Sequence, residues 1–302
     1  MKGPFFFGFF WLAIAVVCSI PGAKAQSPAA GKFYIVGMGT APDLITIRAL
    51  RVIERANVVL LEEGSDSREW AEHIKAKEVW YWPHSIRKFY GAELGSLKDP
   101  GVRAEAQKIA KTREQLLGRI RSAVENGKIV ASLQGGDPMM FGLTFFLEML
   151  PKDLPTEIVP GVGSFQAASA AVKMSPPYGY DTNAVILTMA DWPGRVDTNE
   201  KLMATGSTMV FYTMHLDYPS LFSQLRRHYP ADTPVAVVND AGSPAKEQVI
   251  RSTVGRFLQD VDYRNLPDER HILLVGKFLK VGQARKDFLI SGAAAAAAPS
   301  PK

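Results

Sequence analysis

The stretch Leu133-Gln134-Gly135-Gly136-Asp137-Pro138-Met139-Met140-Phe141-Gly142 sets two glycines and a carboxylate between a strand-like run at 128–133 and a helix-like run at 143–150. A glycine pair in that position lets the backbone turn tightly and lets a ligand approach the main chain. Asp137 adds an acceptor where a strand ends, which is where open α/β sheets bind ligands. Two other turns have the same character. Gly37-Met38-Gly39-Thr40-Ala41-Pro42-Asp43 follows an apolar run at 32–36, and Pro160-Gly161-Val162-Gly163-Ser164 separates a run at 156–159 from an alanine-rich segment. The first is not a phosphate loop, because no Gly-Lys-Ser/Thr follows. It is not a full dinucleotide fingerprint either, because Pro42 stands where the third glycine would be. The five histidines show no metal-ligand spacing, so no metal is expected.

Alternating strands and helices must carry these turns. Leu44, Ile47, Leu50 and Ile53 recur at helical spacing and predict a buried stripe between strands at 32–36 and 57–61. Such a βαβ unit takes a right-handed crossover. A helix at 66–75, a short strand at 79–82 and an irregular polar and aromatic segment at 83–100 follow; a loop of that length reads as a lid or binding loop. The clearest helix begins at Asp99, a capping residue, with Pro100 in its first turn, and ends at Asn126-Gly127. Val102, Ala106, Ile109, Leu116, Leu117, Ile120 and Val124 form its predicted buried face. A helix is also expected at 165–174. The second half has strand-like runs at 184–188, 208–212, 234–238, 248–253 and 271–275, with one long helix at 218–229. Fewer crossovers there predict a mixed sheet.

The chain has 302 residues, 47% hydrophobic and 22% charged, with a net charge of +5. That is ordinary globular composition, and the absence of a Lys/Arg block argues against nucleic-acid binding. Lys2, the apolar run at 5–18 and Ala23-Lys24-Ala25 read as a secretory signal cleaved after Ala25. Cleavage removes Cys18, the only cysteine, so the mature chain has no disulfide, no thiol chemistry and no stable membrane span. The expected location is periplasmic or secreted, the alternative being an uncleaved N-terminal anchor. The expected organisation is a signal peptide (1–25), an N-terminal α/β domain (32–158), a C-terminal α/β domain (159–288) and a disordered Ala/Pro tail (289–302).

Four features lie in order: the Gly37–Pro42 turn, the Gly135-Gly136-Asp137-Pro138 turn with Phe141-Gly142, the Pro160–Ser164 turn before an alanine-rich helix, and Thr233-Pro234-Val235-Ala236-Val237-Val238 followed by Ala241-Gly242-Ser243-Pro244. Together they resemble the tetrapyrrole (corrin/porphyrin) methylases over roughly residues 32–279. The resemblance implies two α/β domains, the first with a mostly parallel sheet and the second mixed, around a cleft that holds S-adenosyl-L-methionine, usually in a homodimer. It implies methyl transfer to a tetrapyrrole or related small molecule. By motif match, Gly37, Gly39 and Pro42 belong to the first ligand loop, and Gly135, Gly136 and Asp137 to the loop nearest the cofactor's amino-acid and sugar parts. Gly163 and Ser164 match a cofactor-contacting pair, Thr213 or Met214 a methionine after a strand, and Ala241 the alanine against which the adenine packs. No catalytic residue is assigned. Tyr178, Tyr180, Asp181, Asp191 and His84 are candidates for handling a proton or orienting the acceptor.

The chain also departs from that pattern. Ala41-Pro42 replaces Gly-Asp-Pro, no Thr-His-Arg segment follows the alanine-rich helix, Glu247 replaces a usual arginine, and 83–100 is additional. Two alternatives stay open at this point: an exported, catalytically degenerate binding protein, or a methyltransferase acting on a peptide.

Overall fold

The computed structural model describes residues 31–64, 70–75, 77–141, 144–178, 182, 184–267 and 269–280. Within the first half run β1 (Lys32–Gly37), α1 (Ile47–Arg55), β2 (Val58–Glu62), α2 (Ala71–Ile74), β3 (Glu78–Trp82), α3 (Pro100–Glu125), β4 (Ile129–Gln134), α4 (Thr144–Met149), β5 (Thr156–Val159) and α5 (Ser164–Val172). The second half contributes β6 (Val185–Thr188), α6 (Asn199–Met203), β7 (Thr208–Tyr212), α7 (Tyr218–His228), β8 (Pro234–Asn239), β9 (Gln248–Thr253), α8 (Phe257–Asp260) and β10 (His271–Val275).

β1–β5 form one sheet in the order β3-β2-β4-β1-β5, parallel throughout. Its strands are apolar on both faces, as a sheet covered on both sides requires. Phe33 and Ile35 point into a core with Trp82, Ile120 and Phe146. The alternating Tyr34 and Val36 point into a second core with Val52, Ile53 and Leu133. Because all five strands run the same way, the turns after β1, β4 and β5 emerge along one edge.

β6–β10 form the second sheet in the order β6-β7-β10-β8-β9. Only the β6–β7 pair is parallel; the others are antiparallel. Phe222, Leu225 and Phe257 cover one face. The other face takes Ala167, Ala168 and Val172 of α5. Although α5 leaves the first sheet from β5, it is the small alanines that let it lie close on β8 and β10. No helix among the described residues is long and apolar enough to cross a membrane.

Several expectations are corrected. The buried face of α1 is Ala49, Val52 and Ile53, and Ile47 is 68% exposed. A single 3-10 turn at Pro42–Leu44 precedes the helix, and Thr46 caps it by accepting the Ala49 amide at 3.1 Å. The helix therefore starts later and rotated relative to a continuous stripe from Leu44. Asp99 caps α3 as expected, accepting the Val102 amide at 2.9 Å, but Val102 in that first turn is exposed beyond the sheet. α2 spans only four residues of the helix expected at 66–75, whose positions 66–69 lie outside the described residues. The 83–100 segment is two 3-10 turns, His84–Arg87 and Leu94–Ser96. Arg113 of α3 straps it down by donating to the carbonyls of Ile86 (2.9 Å) and Lys88 (2.7 Å). The expected signal peptide and the tail at 289–302 lie outside the described residues.

Candidate functional site

The three glycine-rich turns meet backbone to backbone. Gly136 donates its amide to the Gly39 carbonyl at 2.8 Å, and Gly39 returns the bond at 3.3 Å. A Cβ on Gly37 would lie 2.5 Å from the Gly161 nitrogen. Gly39 (φ +76°) and Gly136 (φ +69°) both adopt the left-handed backbone that side chains resist. Glycine here serves the packing of loop on loop as much as any approach of a ligand.

A cavity of about 380 Å³ opens between these turns and the ends of β7, β8 and β10. On the first-half side its wall includes Gly39, Pro42, Gly135, Gly136 and Ser164, all named above as cofactor-binding candidates. Thr213, Met214 and Ala241, candidates likewise, wall the opposite side. Thr213 is held by donating its hydroxyl to the His271 carbonyl at 2.7 Å, which ties the end of β7 to the start of β10.

The remaining three expected residues stand behind the wall. Gly37 is consumed by the contact with Gly161, and Gly163 is the N-cap of α5, its Cβ position 2.9 Å from the Gln166 side chain. The Asp137 carboxylate turns back on its own loop and accepts the Met139 amide at 3.0 Å.

The proton-handling candidates are elsewhere. His84 pairs with Glu62 at 2.5 Å, beside Arg87. Asp191 accepts the Asn199 amide and pairs with Arg195 at 3.0 Å, where it closes the connection from β6 to α6. Tyr178 is 66% exposed. None of the three lines the cavity. Tyr180 and Asp181 lie outside the described residues. Among the described residues no group of three or more His, Cys, Asp or Glu is gathered for a metal.

Other wall residues were not expected. The Phe141 ring packs against Tyr212 across the cleft, the ring centroids 4.8 Å apart and the planes tilted by 59°, with Phe141 at φ +57°. That is a strained backbone for a bulky residue. Burial pushes the Tyr212 hydroxyl up to about 12, with the Asp137 charge adding to the shift and the Phe165 main chain opposing it. The Phe165 main chain nevertheless makes no hydrogen bond of good geometry with that buried hydroxyl. Thr40 on the same wall also keeps a buried hydroxyl without a partner. Asp240 pairs with Arg270 at 3.5 Å near the mouth, where Lys246 and Glu269 also stand. Phe141 sits inside the Gly-Gly-Asp-Pro stretch and was within reach of the sequence. Trp70, Lys246, Glu269 and Arg270 were not, because single aromatic or charged residues in loops look like ordinary surface.

The family described as Tetrapyrrole (Corrin/Porphyrin) Methylases matches residues 32–258. A cobalt-precorrin-4 C(11)-methyltransferase of Priestia megaterium is 30% identical over 264 residues, which cover 85% of this chain and 92% of that protein. The crystal structure of a cobalt precorrin-4 methyltransferase from cobalamin biosynthesis superposes with a TM-score of 0.60 at 26% identity, covering 82% of this chain and 96% of that one. A uroporphyrin-III C-methyltransferase from Thermus thermophilus, complexed with S-adenosylhomocysteine, has the same fold, with a TM-score of 0.60 at 23% identity over 86% of this chain and all of that one (100%). The chain spans about half the length of the sirohaem synthases it also matches, 51% in that of Hydrogenovibrio crunogenus.

Proposed function

This chain belongs to the tetrapyrrole (corrin/porphyrin) methylase family, and from that premise we propose that its cleft binds S-adenosyl-L-methionine and methylates a ring carbon of a tetrapyrrole. The observation that carries the reading is the cavity itself. It lies at the carboxyl edge of the parallel sheet, between glycine turns that leave the backbone open on one side and Thr213, Met214 and Ala241 on the other. That is where α/β sheets place their ligands.

The residues present fit such a cofactor. The volume of about 380 Å³ is in the range of small-molecule sites. The Thr40 hydroxyl is buried on the wall with no protein partner, so a ligand heteroatom would satisfy it. The apolar surface of Ala241 and the side-chain-free backbone at Gly135–Gly136 suit a nucleoside, and Asp240 and Ser243 offer polar groups beside them. When bound, the sulfonium supplies an activated methyl group and a neutral thioether leaving group. The protein's part is then orientation and exclusion of water, since an in-line displacement gains most from a fixed approach geometry. Phe141 over Tyr212 supplies an apolar lip for that purpose.

The acceptor class is suggested by the relatives, whose names specify cobalt-precorrin-4, uroporphyrinogen-III and sirohaem. Calorimetry with S-adenosylmethionine and S-adenosylhomocysteine tests the cofactor reading, and silence from both at millimolar concentration would sink it. A screen of porphyrinogens and precorrins with methyl-labelled cofactor identifies the acceptor. We further propose export by the N-terminal segment and assembly as a homodimer. The export proposal rests on the sequence at 1–25, and the dimer on the resemblance to the family. Cell fractionation with N-terminal sequencing checks the first, with Gln26 expected as the mature start. Sedimentation equilibrium checks the second.

A further inference from the structure

The loop between β8 and β9 forms one wall of the cleft, and its shape is unusual. Asp240 lies at φ +44° and Gly242 at φ +85°, with Ala241 between them on the cavity wall. Glycine takes a left-handed backbone freely and aspartate tolerates it, so surrounding contacts rather than local preference must select this one loop conformation. Those contacts come from three directions. The Asp240 amide donates to the Arg270 carbonyl at 2.8 Å. The amides of Ser243 and Glu247 close successive turns onto Asp240 (3.0 Å) and Ser243 (2.7 Å). The Gly242 amide, which no backbone group takes, donates to the Glu247 carboxylate at 2.7 Å.

Gly242 is also where this loop touches the other half of the molecule. A Cβ there would lie 2.6 Å from both Leu44 Cδ1 and Thr40 Oγ1. Thr40, with its unpartnered hydroxyl, and Ala241 wall the same cavity. The Glu247 carboxylate therefore holds an amide at the point where the second-half wall meets the first ligand turn.

We propose that Glu247 is a positioning residue of the cleft, fixing Gly242 and through it the Ala241 wall against Thr40 and Leu44. The ligand side of this rests on the reading of the cleft as a cofactor site. Without the carboxylate, the Gly242 amide is left to water and the loop populates other conformers. Apparent affinity then falls in proportion to the competent fraction, about fivefold if one loop in five remains in place.

The test compares the full chain with Glu247→Ala and Glu247→Gln, each measured two ways. Calorimetric affinity for S-adenosylhomocysteine should fall about fivefold in Glu247→Ala and recover to within about twofold in Glu247→Gln, which keeps an acceptor oxygen. Hydrogen exchange without ligand should show the Gly242 amide protected in the parent and in Glu247→Gln and exposed in Glu247→Ala. Thermal midpoints should fall by only about 2–4 °C in Glu247→Ala, the effect of losing one exposed hydrogen bond. Unchanged affinity in Glu247→Ala overturns the proposal, as does a Gly242 amide equally protected in all three proteins. A parent chain that binds no S-adenosylhomocysteine would instead overturn the cofactor reading, and the exchange result would then decide the role of Glu247 by itself.

Discussion

Gly161 stands so close to Gly136 that a Cβ on Gly161 would lie 2.2 Å from the Gly136 carbonyl oxygen. That contact joins the turn after β5 to the turn after β4 and leaves room for no side chain. Gly161→Ala should therefore destabilise the protein by about 2–3 kcal/mol, the range of an overpacked site that must shift backbone. Urea denaturation gives the number. Gly118→Ala is the control: it faces open space in the middle of α3, and should stabilise by somewhat under about 1 kcal/mol. If Gly161→Ala is neutral, the turns are not in contact as described.

Phe141 should matter for ligand binding and little for stability. Its ring is 45% exposed yet covers Tyr212 across the cleft. Removing a half-exposed side chain costs about 1 kcal/mol or less. Loss of the lip should weaken S-adenosylhomocysteine roughly tenfold, an amount equal to about 1.4 kcal/mol. A Phe141→Ala protein that binds as the parent does would remove Phe141 from the site.

Asp137 is expected to act on its turn and on Tyr212. Asp137→Asn retains an acceptor for the Met139 amide, so stability should change by less than about 1 kcal/mol, whereas Asp137→Ala loses that bond at about 1 kcal/mol. Both variants remove the charge that helps raise the Tyr212 hydroxyl, so its titration should move down toward 10, the ordinary value. Ultraviolet difference titration, with Tyr212→Phe to assign the transition, reads the shift. A titration identical to that of the parent would show that the Asp137 charge does not reach Tyr212.

Alkaline stability follows from buried tyrosines. Burial pushes Tyr212 up to about 12 and pushes Tyr218 and Tyr229 higher still. In the unfolded chain each ionises near 10, so above that pH the unfolded state has lost protons that the native state keeps. Stability contributed by these groups is thus complete below pH 10 and declines as pH rises toward the folded values, by up to about 1.4 kcal/mol per pH unit for each. Of nine tyrosines, these three should ionise late or only on unfolding. Stability that stays flat from pH 10 to 12 would contradict their burial.

Most of the fold could be read from the residues. Runs such as 32–36 and 271–275 are apolar over strand length, and Asp99-Pro100 with Asn126-Gly127 brackets α3, because caps and periodicity are local properties. The start of α1 was misplaced for a non-local reason. Leu44 has helical spacing to Ile47, but it packs beneath Gly242 from the other half, and only the sheet decides that Ala49, Val52 and Ile53 face inward.

The site divides along the same line. The sequence alone determined where backbone must come close: paired glycines at 37–39, 135–136 and 161–163 have few other reasons to recur after strands. Ser164, Thr213, Met214 and Ala241 were placed by the resemblance to the tetrapyrrole methylases, motif by motif. The sequence did not distinguish glycines that face the cavity from those, like Gly37, that face another loop, because φ and hard contact are settled by the neighbouring turn. Nor did it reveal that the Asp137 carboxylate bonds its own turn, that Asp191 is tied into an ion pair and His84 into a contact with Glu62 away from the cleft, or that Glu247 anchors Gly242. The partners are only two, four and five residues apart in Asp137–Met139, Asp191–Arg195 and Gly242–Glu247, but residue order does not say which way a loop folds back to bring them within about 3 Å. That path is decided by how each turn packs in the folded protein, and at Gly242 by Leu44 and Thr40 of the other half.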